Sequence, residues 1–101
     1  MIVVTARCRI LPESRVGFIE EVRRIVPLVC GEDGCIRYEL VSDVFDPDTF
    51  LFIEAWESQK HLDGHLACRH MKEYFTKTAP YHSAPTELVI YEIQTMRSVT
   101  L

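Results

Sequence analysis

The chain has 101 residues, 48% hydrophobic and 26% charged, with eleven Lys and Arg against fifteen Asp and Glu, so 11 − 15 = −4. That size suits one domain, and the composition suits a folded globular one rather than a disordered one. An acidic balance without a basic cluster leaves no electrostatic footprint for nucleic acid, and no apolar run reaches the ~20 residues that cross a membrane.

The opening alternates. Ile2, Val4, Ala6, Cys8 and Ile10 fall on one side, and Val3, Thr5, Arg7 and Arg9 on the other, which predicts a strand with one apolar face. No basic leader precedes it, so it reads as a strand and not as a signal peptide. Cys8, Cys30, Cys35 and Cys68 match neither paired CxxC zinc ligands nor a dense disulfide framework. Reduced thiols in a cytoplasmic protein are the expectation.

Pro12 and Ser14 punctuate the chain, and a helix opens at Glu13–Arg15. Its apolar positions Phe18, Ile19, Val22, Ile25, Val26 and Val29 recur at intervals of three and four. Pro27 cannot donate to the Arg23 carbonyl, which predicts a kink or an early end. "CGEDG" turns the chain into a second strand, "CIRYELVS", residues 35–42. "DVFDPDT" is an Asp- and Pro-rich turn leading into a third strand, "FLFIEAW", residues 50–56. Ser58 caps a helical segment that is expected to break near Gly64 and restart at Leu66–Cys68. The last strand, "LVIYEIQTM", covers residues 88–96.

This β-α-β-β-α-β order predicts an α+β, ferredoxin-like fold with four antiparallel strands and helices on one sheet face. Strands three and four are apolar on both faces. An uncovered apolar face is an association site, so a two-fold homodimer packed sheet against sheet, a dimeric α+β barrel, is expected. A domain this small gains from the extra burial.

The histidine-rich stretch "HLDGHLACRH", residues 61–70, carries the first chemical candidates. His61 and His65 share a helix face, but the first lacks the neighbouring Glu of HExxH and spacing supplies no third ligand, so no metal is expected. Cys68 and His70, two apart on a helix, are expected to diverge. His65, beside the expected break and partly exposed, is a candidate proton acceptor near pH 7, against the blander alternative of a structural cap. Glu54 and Trp56 share a strand face. There a carboxylate beside an indole can have a raised pKa, although pairing with Arg7, Arg9 or Arg37 across the sheet is the simpler expectation. Tyr38, Tyr74, Tyr81 and Tyr91 suit an aromatic cavity or an ordinary core equally. There is no Gly-rich phosphate loop, dinucleotide fingerprint or nucleophile elbow, and no cofactor-binding element is readable.

"IVPLV" at 25–29, "EDGCIRYEL" at 32–40, "IEAWES" at 53–58 and "HLDGHLACRHMKEY" at 61–74 together resemble the antibiotic biosynthesis monooxygenase superfamily, in its quinol monooxygenase branch. The resemblance implies a dimeric ferredoxin-like barrel. It also implies oxygenation of a quinol or polycyclic phenol by O2 without flavin, haem or metal, through deprotonation of the substrate. By position it implies His65, Trp56 and Tyr38 as catalytic residues, His65 as base or orienter and the other two as walls. His70, Glu54, Arg7 and Tyr74 then contact substrate, with Arg7 facing a phenolate or superoxide. Three rivals attach to the same superfamily. Haem degradation is disfavoured, because the first strand has no Asn, His65 stands where the branch's Trp would be, and Phe75 stands near its iron ligand. An isomerase of a phosphorylated sugar would need Arg7, Arg9 and Arg37 as a phosphate cradle. A non-catalytic dimeric small-molecule sensor or stress protein would reuse the fold alone.

Overall fold

A computed structural model describes residues 1–101. The alternation at the start becomes strand β1 (Ile2–Arg9), with Ile2, Val4, Ala6 and Cys8 buried and Arg9 exposed. A 3-10 turn at Pro12–Ser14 leads into helix α1 (Arg15–Cys30). Its Phe18, Val22, Ile25 and Val29 are buried, and Ile19 and Val26 pack partly buried against the same core. The helix does not stop at Pro27. It continues to Cys30, because Arg23 and Pro27 both lie on the exposed side, where water can serve the carbonyl that proline leaves without a donor.

The chain turns at Gly34, whose φ of +78° only glycine adopts without strain, and a Cβ there would lie 2.2 Å from the His61 ring. Strand β2 (Cys35–Ser42) follows, with a register irregularity between Cys35 and Arg37, and then β3 (Thr49–Trp56). In the hairpin between them Asp43 Oδ1 accepts from the N–H groups of Phe45 and Asp46 at 2.7 and 3.1 Å, the side-chain turn chemistry that Asp offers.

Ser58 caps α2 (Gln59–Ala67), accepting from His61 N at 3.3 Å. The helix runs through Gly64 rather than breaking there, since an interior glycine costs only about 1 kcal/mol relative to alanine. The break lies at Cys68, extended at ψ 160°, which also precedes α3 (Arg69–Thr78). Strand β4 covers Glu87–Glu92 and is shorter than the apolar run 88–96 suggests. It pairs only with β1, and the register Ile2–Glu92 brings β1 to its end there, with Ile93 N donating to Met1 O as the last bond.

The sheet order is β2-β3-β1-β4, antiparallel throughout, so the β2–β3 hairpin inserts β3 beside β1 in the expected ferredoxin-like topology. Phe18 of α1 packs against Phe50 and Phe52 of β3, with centroids 5.2 and 6.4 Å apart, and centres the core on the helix side. The opposite side carries half-buried Val3, Leu51 and Ile53 and the exposed Val89 and Tyr91, with no helix over them. No helix of the chain is long and apolar enough to cross a membrane.

Candidate active site

Strand alternation determines what reaches the helix side. On β3 the inward set is Phe50, Phe52, Glu54 and Trp56, and Glu54 stands opposite Val4 of β1 and Tyr38 of β2. The arginines expected to pair with Glu54 are on other faces: Arg7 sits opposite Leu51, Arg9 lies near Glu87, and Arg37 lies beside Glu39. Glu54 instead accepts from Trp56 Nε1 at 3.0 Å and is buried. Burial raises its carboxyl to about 7. The Trp56 N–H pulls the other way, and the charge of Glu32 adds to the rise.

His65, on the inner face of α2, is 1% exposed, contrary to its expected partial exposure, because the helix continues through Gly64 and carries it against the sheet. Its ring stacks on Trp56 at 4.6 Å and 32°, and meets Tyr38 edge-on at 5.4 Å. Nε2 is 3.9 Å from Glu54 Oε1, while Nδ1 lies 2.9 Å from Glu32 Oε2 and 3.2 Å from Oε1. A carboxylate only accepts, so against Glu32 the hydrogen sits on Nδ1 and Nε2 is left as the acceptor. Burial pushes the imidazole pKa below its ordinary value, and the bond to Glu32 partly restores it.

A cavity of about 220 Å³ opens beside this group. Its walls include Tyr38, Glu54, His65, Met71, Tyr74 and Phe75, closed on the far side by Cys8, His82, Thr86 and Leu88. Burial drives both phenols, Tyr38 and Tyr74, far above the ordinary tyrosine range, so each stays a hydrogen-bond donor at any physiological pH. A larger, more open groove of about 590 Å³ runs between α1 and the β2 edge, but of the groups near His65 only Tyr38 reaches it.

Four expected site residues thus line the cavity: His65, Tyr38, Glu54 and Tyr74. Three do not. Trp56 is fully buried behind His65 and supports the ring instead of forming a wall. Arg7 points to the opposite sheet face, as its place in the β1 alternation requires, and does not line this cavity. His70 lies outside the cavity, with Nε2 2.7 Å from Glu32 Oε2. Nor do Cys68 and His70 diverge: Cys68 is in the extended junction and not on a helix, which brings its Sγ within 3.3 Å of His70 Nε2.

The sequence pattern of the family described as Antibiotic biosynthesis monooxygenase matches residues 1–77. The chain belongs to that family. A protein of Escherichia coli named probable quinol monooxygenase YgiN is 36% identical over 84 residues, covering 73% of this chain and 81% of its own. The protein sll1783 of Synechocystis is 29% identical over 92 residues, and the match spans 63% of its length. A crystal structure of an antibiotic biosynthesis monooxygenase superposes with a TM-score of 0.88 at 27% identity, covering 94% of this chain and all of the other. The family membership agrees with the expected resemblance and fold.

Glu32 is the residue beside His65 that sequence reasoning missed. It opens the quoted "EDGCIRYEL" stretch, but as a residue of a turn between α1 and β2 it reads as a surface acid. The signal was Gly34, whose turn folds that acid back toward α2. Met71, Phe75, His82 and Leu88 were also unassigned, since only the packing of α3 and β4 over one end of the sheet makes them walls.

Proposed function

We propose that the protein is a monooxygenase acting on a quinol or phenol of one or two rings without a cofactor. The observation that carries the reading is His65: one ring nitrogen is held by a buried-side carboxylate, and the other faces an aromatic cavity at 3.9 Å from a second carboxyl group. In this reading Nε2 takes the phenolic proton, and Glu32 stabilises the imidazolium that forms. The substrate anion gives an electron to O2, the radical pair combines into a carbon–peroxide bond at a ring carbon that carries hydrogen, and the His65 imidazolium returns its proton to the peroxide. Glu54, with its pKa near 7, then protonates the hydroxide that leaves as the O–O bond breaks, and recovers a proton from the C–H bond that breaks to form the carbonyl. One oxygen atom ends in the product carbonyl and the other in water. The four electrons that O2 needs all come from the substrate ring, three from the carbon that gains oxygen and one from the phenolic carbon, so no outside reductant enters. Tyr38 and Tyr74 donate to the anionic oxygen. A cavity of about 220 Å³ suits one or two rings better than a large polycycle.

The sheet face that carries Val3, Leu51, Ile53, Val89 and Tyr91 closes against its copy in a homodimer. The isomerase alternative loses its phosphate cradle, because Arg7, Arg9 and Arg37 all lie off the cavity. The test is oxygen uptake by chelator-treated protein against a panel of hydroquinones and naphthols. Turnover above autoxidation that disappears in His65→Asn is the expected result. Uptake no faster than autoxidation across the panel, with binding intact, would favour a non-catalytic ligand-binding protein.

A further inference from the structure

Behind the His65 ring, on the side away from the cavity, four donor groups converge. Glu32 Oε2 is 2.9 Å from His65 Nδ1 and 2.7 Å from His70 Nε2, and Cys68 Sγ is 3.3 Å from the same His70 nitrogen. The donor atoms of Glu32, His65 and Cys68 all lie within 4.8 Å of one another. Three separate pieces of backbone build this cluster. The Gly34 turn folds Glu32 inward, α2 supplies His65, and the extended break at Cys68 turns the thiol toward the first turn of α3, where His70 sits. His65 is buried and Glu32 nearly so, while His70 is a quarter exposed and leaves a path from solvent.

We propose that Glu32, His65, Cys68 and His70 form a binding site for one divalent cation of the zinc type. Two imidazoles, a thiolate and a carboxylate are the donor set that zinc takes, and the thiolate discriminates against magnesium and calcium. A four-coordinate zinc with bonds of about 2.0–2.3 Å holds its donors about 3.3–3.6 Å apart. Among Glu32, His65 and Cys68 the donor atoms lie within 4.8 Å of one another, and His70 Nε2 joins them at 2.7 Å from Glu32 Oε2 and 3.3 Å from Cys68 Sγ. Binding therefore draws the two imidazoles together as the ion takes the place of their hydrogen bonds to Glu32, at zinc's ordinary bond lengths. The charges also balance, with a dication against one thiolate and one carboxylate, which suits a half-buried place. On binding, the Cys68 thiol proton leaves to solvent. Each imidazole moves its hydrogen to the nitrogen facing away from the ion, so the net release is one proton.

This has a consequence that rests on the proposed oxygenase chemistry. With a cation on Nδ1, His65 carries its hydrogen on Nε2 and can no longer accept one from a substrate. The ion is then an inhibitor lodged behind the base and not a cofactor in the cavity.

The test is a cobalt(II) titration of the reduced, chelator-stripped protein, followed by thiolate-to-cobalt charge transfer in the near ultraviolet and by equilibrium dialysis. One equivalent per chain is expected, displaced by zinc. Cys68→Ser is expected to lose the charge-transfer band, and Cys68→Ser and His70→Ala each to weaken binding by about 100-fold or more. Absence of the band in wild type, or unchanged affinity in both variants, would overturn the proposal, the second result placing the ion elsewhere, such as at Cys30 and Cys35. Circular dichroism checks each variant, and if Cys68→Ser does not fold, the affinity of His70→Ala decides. Cobalt bound through Cys68 in a chain with no quinol turnover supports the ion site and removes only the oxygenase reading. Quinol turnover with no cobalt band does the opposite.

Discussion

Replacing Glu54 with glutamine tests the electrostatics of the site directly. Glu54 is 5% exposed and has no cationic partner, and burial raises its carboxyl from 4.5 to about 7. Between those values the folded chain holds a proton that the unfolded chain has released. Stability therefore falls as pH rises through this window, and above it the fold carries the whole cost of an ionised buried group. The difference, 7 − 4.5, at about 1.36 kcal/mol per pH unit, gives a cost of about 3 kcal/mol. Glutamine stays neutral throughout and keeps an oxygen for Trp56 Nε1. Glu54→Gln is thus expected to match wild type at about pH 4.5 and to exceed it by up to about 3 kcal/mol at about pH 9. Urea unfolding at one fixed protein concentration measures both, and a melting shift of about 4–8 °C per kcal/mol gives an independent check. A gap independent of pH, or a variant less stable than wild type in alkali, would refute the reasoning. The same substitution removes the proton that the peroxide step uses, so a more stable protein with slower oxygen uptake is the combined expectation.

His65→Asn is expected to slow oxygen uptake by about 10²–10⁴-fold. Because the ring is buried between Trp56 and Tyr38 and holds Glu32, the same variant should lose about 2–4 kcal/mol in urea unfolding. Phe75→Ala, at a cavity wall that is 45% exposed, should raise KM several-fold while stability moves by less than about 0.5 kcal/mol. Ile53→Lys places a charge on the uncovered sheet face and should convert the proposed dimer to monomer by light scattering, with the circular dichroism spectrum unchanged.

The fold was legible because its signals are periodic. The alternation in β1 and the three-four spacing of Phe18, Val22, Ile25 and Val29 are each satisfied by one face, and the structure buries those faces. The errors fall where a local rule met a tertiary one. Pro27 lies on the wet side of its helix, so its missing bond does not end it. Gly64 lies open with nothing within 4 Å, so no packing forces a bend there. β4 ends where its only partner does. His65, Tyr38, Glu54 and Tyr74 were named through the family resemblance, and their strand and helix phases bring all four to one cavity. Glu32 could not be named, since its inward position depends on a turn whose shape follows from one glycine packed against His61. Arg7 lies off the cavity by the alternation that defined β1 in the first place.

The two carboxylates around His65 need different surroundings to do different work, and the topology supplies them. Glu54 projects from the central strand β3, under α2, where burial outweighs the one hydrogen bond from Trp56, and its proton is held to about pH 7. Glu32 sits in a turn at the molecular edge, its carboxyl 13% exposed, with His65 Nδ1 and His70 Nε2 both at hydrogen-bond distance. An anion there keeps the hydrogen on Nδ1, and a neutral acid on the other side leaves Nε2 unopposed. Exchanging the two environments would reverse the tautomer and turn the cavity-facing nitrogen into a donor. In the proposed reaction the proton acceptor is thus specified less by the histidine itself than by one carboxyl group being central in the sheet and the other at its rim.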